Sequence, residues 1–202
     1  MTRGVQKERT RRAFLDAALT LSQDGGLGAL SLRQVAREVG LVPTAFYRHF
    51  SSIEEMGLTL VQESFDSLRG MLRDVRRENQ EPAEVIAVSV EVLGRHVREH
   101  REHFGFIARE RRAGSPVVRD AVRHQIELVE RELATDLARL TPPTWSATDL
   151  AVLANLIVVV MVNAVEDLLQ ADRPELAEAV LDRTRTQITM LAVGAQDWRS
   201  RA

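Results

Sequence analysis

Apolar side chains recur along this chain at the three-to-four-residue spacing of one helix face, and no segment shows the strict alternation of a half-buried strand. Phe14, Ala17, Ala18 and Leu21 make one such stripe, and Leu32, Val35, Ala36 and Val39 make the next. Entry signals precede the stripes: Ser31 with Gln34 and Ser52 with Glu55 have the spacing of a capping box, Ser115 stands before Pro116, and Ser146 stands before Asp149. Stop signals follow them at residues 24–28, at Gly40, and at 79–82, 113–114, 141–143 and 171–174. The pattern predicts an all-α chain of about nine helices without internal repeats.

The chain has 202 residues, enough for one large core or two small ones. Three short helices ending near Phe50 give way to longer ones. This predicts a small domain over residues 1–51 and a larger one over 52–202, with a helix over Ser52 to Arg77 connecting them. The absence of cysteine removes disulfides, thiolate metal sites and thiol nucleophiles together. The N-terminus is polar and basic with no signal-type apolar stretch behind it, so a cytoplasmic location is expected. The most apolar stretch, Leu150 to Val165, falls short of the roughly 18–20 residues a bilayer requires and carries Asn155 and Asn163. It reads as a buried helix, with no membrane partner.

Net charge is −2, but residues 1–50 hold eight Lys/Arg against four Asp/Glu, while residues 51–202 hold 19 against 25. A basic first quarter ahead of an acidic remainder suits a polyanion bound at one end. The segment SLRQVAREVGLVPTAFYRHF, starting at Ser31, reads as a two-turn amphipathic helix, a turn at Gly40 and a second short helix opening at Pro43. That order is a helix-turn-helix: Ala36 permits close helix approach and Gly40 supplies the positive φ of a sharp turn. Phe46 and Phe50 are placed toward a small core with Phe14, Leu21, Leu32 and Val35, which leaves Thr44, Ala45, Tyr47, Arg48 and His49 around the other faces. Gly25, Gly26 and Gly28 lack the preceding strand and following Gly-Lys-Ser/Thr of a phosphate loop, and read as a turn between helices.

Residues 40–50, Gly-Leu-Val-Pro-Thr-Ala-Phe-Tyr-Arg-His-Phe, resemble the recognition-helix signature of the TetR family of transcriptional regulators. The resemblance implies that Arg33 reaches a base or phosphate, that Pro43, Thr44 and Ala45 meet base edges, and that Tyr47, Arg48 and His49 hold phosphates. Arginine bidentate to guanine and small side chains against a thymine methyl fit those roles. Tyr47 as a packing residue and His49 as a helix C-terminal residue are the plainer alternatives. Arg3, Lys7, Arg9, Arg11 and Arg12 form an expected basic arm toward the backbone or minor groove. Family members often carry Lys three residues after the His-Phe pair. Here Ser51, Ser52 and Ile53 follow Phe50, so that phosphate contact is expected to be missing.

Residues 43–64 are further similar to regulators of unsaturated fatty acid synthesis of the FabR and DesT type, through Pro43, Ile53 and Gly57-Leu58, with weaker likeness at 104–115 and 190–199. This implies a long-chain fatty acyl-CoA as regulatory ligand and a repressor acting on lipid genes. Phe65, Phe104, Phe106, Ile107, Val122, Ile126, Leu156 and Val160 are the residues expected to line an apolar pocket, with ordinary core as the alternative. Arg109, Arg111 and Arg112 would meet a coenzyme A phosphate, or form a solvated charge run. His96, His100 and His103 fall at i, i+4 and i+7 on one predicted helix with Glu99 and Glu102 nearby, a spacing that can gather imidazoles; an exposed polar face explains it as well, and no metal or other cofactor is expected.

Helix-turn-helix proteins commonly read near-palindromic operators as two-fold dimers. Ile157, Val158, Met161, Val162, Leu181, Ile188 and Leu191, on the last two long helices, are the expected homodimer surface in a four-helix bundle, or else fill the protomer's own core. Ligand binding would move the Ser52–Arg77 helix and respace the two DNA-reading heads. A sensor of drugs or other small hydrophobic molecules fits the same composition. An enzyme acting on acyl thioesters is disfavoured, since there is no Gly-x-Ser-x-Gly elbow and no cysteine. A helical partner-binding protein without a DNA role is disfavoured by residues 31–50.

Overall fold

The computed structural model describes residues 3–23, 25–78, 81–140 and 145–200, and all regular structure among them is helical. The helices are α1 (Arg3–Leu21), α2 (Leu32–Glu38), α3 (Pro43–Phe46), α4 (Ile53–Glu78), α5 (Pro82–Glu99), α6 (Arg101–Ala113), α7 (Pro116–Leu140), α8 (Ala147–Gln170) and α9 (Pro174–Gln196). One 3-10 turn, Leu27–Ala29, sits between α1 and α2. The expected all-α class and about nine helices are what the described residues show.

Local chemistry accounts for most boundaries. Ser31 caps α2 with a reciprocal box: its hydroxyl accepts the Gln34 N–H at 3.2 Å and Gln34 Oε1 accepts the Ser31 N–H at 2.8 Å. At α4 the box is split, because Ser52 Oγ accepts from the Glu55 N–H (3.0 Å) while Glu55 turns back to the N–H of Ser51 (2.6 Å). Ser146 caps α8 through the Asp149 N–H at 3.1 Å, and Pro opens α3, α5 and α9 in their first turns. The expected stop at 141–143 lies outside the described residues, as do Asp24, Asn79 and Gln80 within two others.

Two expectations change. The basic N-terminal arm is already helical, since α1 begins at Arg3. The single helix read through His96, His100 and His103 is two, broken at His100 (φ −122°, ψ 38°), so the i, i+7 relation to His103 does not exist.

The chain packs as two compact units. The first comprises residues 1–65 and 102–123, and the second comprises 66–101 and 124–202. The first turns of α4 and most of α6 therefore join the N-terminal helices rather than the larger body. In the first unit, Phe14, Val35, Ala36, Phe46, Phe50, Met56 and Leu60 are buried. In the second, α8 packs along α9, and both pack against α5. Gly94 lets α5 approach Leu181 of α9, because a Cβ there would stand 2.8 Å from the leucine's methyl. Arg69 of α4 donates to Glu132 of α7, and Arg73 joins it at 3.2 Å. Helix α8 is long and apolar enough to cross a membrane by length and composition. Its apolar residues divide between a buried face, including Leu153, Val158 and Leu168, and an exposed one, including Val152, Leu156 and Val159.

Candidate functional site

Seven residues of α2 and four of α3 are too few to hold helical structure alone. The core beneath them does that work. The rings of Phe14 and Phe46 meet edge-on at 5.3 Å, and Phe50 lies 5.6 Å from Phe46. The connection between α2 and α3 is a Schellman turn, in which Leu41 N–H donates to Ala36 O (2.9 Å) and Gly40 N–H donates to Arg37 O (3.0 Å). Gly40 has φ +71°, a conformation that residues with a Cβ rarely adopt. Pro43 then starts α3 at once, where its missing N–H costs nothing.

This packing turns one surface outward. Arg33, Pro43, Thr44, Tyr47 and Arg48 are exposed; Tyr47 is 64% accessible, with its ring meeting Phe46 edge-on at 6.0 Å. Ala45 and His49 are half-buried. His49 stacks at 5.7 Å from Phe14. Burial, followed by the nearby cations Lys7, Arg11 and Arg48, holds its imidazole below the ordinary histidine range. The sequence missed Leu41 and Val42, which are exposed beside Pro43 (Val42 65%) and extend the small apolar contact area at the start of α3. Their apolar character, next to a turn with no core position to fill, was the available signal.

The basic arm divides by role. Arg12 is paired with Glu63 at 2.7 Å, and the Arg11 guanidinium lies 4.7 Å over the Phe50 ring. Both therefore help to hold α1 on the first unit. Lys7 and Arg9 are exposed on α1.

The turn before α2 is closed by a group the sequence reading passed over. Glu110 of α6 is 1% exposed, and its Oε1 accepts the Leu27 N–H at 2.7 Å. Gly26, at φ +72°, and Gly114 make room for it: a Cβ on Gly26 would stand 2.9 Å from Oε1, and one on Gly114 would stand 2.6 Å from Oε2. The glycine-rich segment thus serves helix packing, as expected, and binds a carboxylate of its own chain. Gln23 to Glu102 (3.0 Å) and Ser115 to Glu54 (2.8 Å) add further ties within this unit.

The second unit contains an apolar cavity of about 260 Å³. Leu72 of α4, Ile86 of α5, Leu133 and Leu137 of α7, Ile157 and Met161 of α8 and Ile188 of α9 line it. Its polar lining is limited to Ser89, Asp136 and Gln196; Asp136 is the one charged residue among them and pairs with Arg139 at 3.3 Å.

None of the residues expected to line an apolar pocket is among those lining this cavity. Phe65, Phe104, Phe106, Ile107 and Val122 belong to the first unit, where Phe65, Phe106 and Val122 are buried. Ile126, Leu156 and Val160 belong to the second, with Leu156 on its surface and Val160 on a separate polar depression with Asn163 and Arg183. Arg109, Arg111 and Arg112 are likewise absent from the cavity, and the Arg109 stem packs on Gly26.

Five of the expected dimer residues lie in the protomer's own interior. Ile157, Val158, Met161 and Ile188 line the cavity, Leu181 is buried on Gly94, and Val162 and Leu191 are half-buried. The exposed apolar side chains of α8 and α9 are instead Val152, Leu156 and Val159, and Leu176, Met190 and Val193. A stripe at helical spacing marks these helices as apolar but not which of their faces the protomer buries, because α8 is apolar on both.

An exposed short helix, reached through a Schellman turn and flanked by cations, defines the class of helix-turn-helix DNA-binding proteins. Residues 14–58, which contain the helix-turn-helix, match the family model described as bacterial regulatory proteins, tetR family. The fold of the whole chain agrees. It is similar to a transcriptional regulator from Rhodococcus sp. Rha1 (TM-score 0.73, 22% identity, covering 93% of this chain and 98% of that one). It is also similar to the fatty acid degradation regulator FadR from Bacillus halodurans (0.74, 14%, 89% and 94%), and to a TetR-family transcriptional regulator from Bordetella parapertussis 12822 (0.68, 16%, 95% and 98%). At these identities the likeness is one of fold.

Proposed function

We propose that this regulator binds a near-palindromic operator as a homodimer, acts in the cytoplasm as a repressor, and changes its operator affinity when a small hydrophobic molecule occupies the cavity of the second unit. The observation that carries the effector reading is the cavity itself. It is apolar, assembled from five helices, and supplied with a few polar groups at fixed positions, which is how small-molecule sites are built. Its volume of about 260 Å³ lies just below the usual range of about 300–1,000 Å³, so a compact effector fits it best. Its one charged lining group is a carboxylate, which favours a neutral or cationic compound over an anion.

Long-chain fatty acyl-CoA is the second reading. It is favoured by the fold shared with a regulator of fatty acid degradation and opposed by the lining, which offers coenzyme phosphates no cation. For dimerisation, the exposed apolar residues Leu156 and Met190 on α8 and α9 supply the surface. Leu156→Glu with Met190→Glu is expected to give folded monomers in sedimentation equilibrium. Continued dimerisation would move the interface elsewhere.

The test is fluorescence anisotropy on duplexes tiled from DNA upstream of the chain's own gene, at fixed salt. It is titrated with compact neutral and cationic hydrophobic compounds in one arm and with long-chain acyl-CoAs in the other. Release or tightening by a compact compound alone supports the first reading. A response to acyl-CoA alone replaces it with the second. By reciprocity the operator must alter ligand affinity by the same factor, and equal ligand affinity with and without operator would exclude regulation through this cavity.

A further inference from the structure

Helix α5 ends in His-Val-Arg-Glu and is followed at once by its cap His100, one turn on from His96, with Glu99 between them in position. The His96 and His100 rings lie 4.4 Å apart between centroids, and the donor atoms of His96, Glu99 and His100 all lie within 4.8 Å of one another. His96 is 4% exposed, whereas Glu99 and His100 stand at the surface. We propose that these three side chains form a binding site for a divalent transition-metal ion, with Zn²⁺ the best match to two imidazoles and one carboxylate.

Four physical points support the assignment. Histidines at i and i+4 present their nitrogens on one helix face, the spacing used by zinc-binding helices. Metal–nitrogen and metal–oxygen bonds of about 2.0–2.2 Å require the donors to close by about 1–2 Å, and the two exposed side chains can supply that movement. The site sits at the C-terminus of an 18-residue helix, where the last carbonyls carry partial negative charge that favours a cation. The nearest following cation, Arg101, is committed elsewhere: its guanidinium donates to the carbonyls of Leu168 (3.2 Å) and Leu169 at the end of α8. His103 takes no part, because its Nδ1 shares a hydrogen bond with Ser64 Oγ at 2.7 Å in the other unit.

Three protein donors leave room for water or another ligand, so the ion would be held exchangeably. The proposal concerns α5 alone and stands whether or not the cavity binds an effector.

The experiment uses the full chain without a histidine tag. Zn²⁺ is titrated calorimetrically in a non-chelating buffer at pH 7.5, and Co²⁺ is followed by its visible absorption. The expected result is one Zn²⁺ per chain, weakened tenfold or more by His100→Ala and severalfold by Glu99→Gln. Both positions are exposed, and circular dichroism checks that the variants stay folded. His124→Ala removes a surface histidine of α7 that faces only Glu127, at 3.9 Å, and should change nothing. The proposal is overturned if the unaltered chain binds no Zn²⁺, if His100→Ala binds as tightly, or if His124→Ala weakens binding as much as His100→Ala does.

Discussion

The helix-turn-helix unit and the second unit solve opposite packing problems. In the first, α2 and α3 have only seven and four residues, and each survives because fully buried side chains such as Val35 and Phe46 fill the space beneath it. In the second, α5, α8 and α9 run for 18, 24 and 23 residues and carry many internal hydrogen bonds. Long helices can leave a void between them and still persist, whereas a short helix over a void would melt. The difference separates a surface held to one shape from an interior that keeps a cavity.

The largest effect should come from the reading surface. Thr44→Asp with Arg48→Glu places two carboxylates against DNA while touching no buried contact. Specific duplex affinity should fall about a hundredfold or more with helicity and dimerisation unchanged, as read by anisotropy and sedimentation. Preserved binding would mean that another surface meets the duplex.

Truncation tests the packing contrast directly. Phe46→Ala should cost about 3–5 kcal/mol and remove DNA binding, whereas Ile157→Ala, whose side chain already faces a void, should fall at the low end of about 2–5 kcal/mol. Equal losses in chemical denaturation would erase the distinction drawn here. Enlargement tests it from the other side. Ala36→Leu overpacks the head by about 1–3 kcal/mol, while Ala192→Leu grows into the cavity, leaves the melting temperature the same or higher, and blocks a cavity ligand.

The smallest effect is on pH. His49 is held neutral in the folded head, so the unfolded chain takes up the proton more readily, and the head should lose stability as pH falls through about 6.5. Glu132 in the second unit is held below its ordinary 4.5 by the hydrogen bond from Arg69. Its contribution is full above 4.5 and is lost only as the pH falls further. Hydrogen exchange between pH 7 and 5 should show the head loosening first. Simultaneous loosening would remove His49 as the cause.

The head was legible because its determinants are local. Gly40 and Pro43 act through neighbours a few residues away, and Phe46 and Phe50, one turn apart, meet α1 through Phe14 and Arg11, whose own stripe is marked separately. The second unit was legible only as helices. Which face of α8 meets its own chain depends on α5, α7 and α9, and a helix apolar all round carries no mark of that choice. The break at His100 was invisible for a related reason: it occurs within His-Arg-Glu-His, with no Gly or Pro to announce it. Glu110 hid inside Arg-Glu-Arg-Arg, a run whose composition describes a solvated surface.

That carboxylate has a consequence for how the chain can change over generations. Gly26 and Gly114 are small because Glu110 occupies the space a methyl would need, and Glu110 is tolerated because the Leu27 N–H receives one of its oxygens. A side chain at either glycine collides with the carboxylate, and loss of the carboxylate alone strands a buried N–H, at about 1–3 kcal/mol. Single steps away from this arrangement are therefore penalised, and unevenly: a Cβ on Gly114 would also stand 2.5 Å from the Glu110 carbonyl oxygen and Gly26 keeps φ +72°, so the glycines should persist even in a descendant that has replaced the carboxylate.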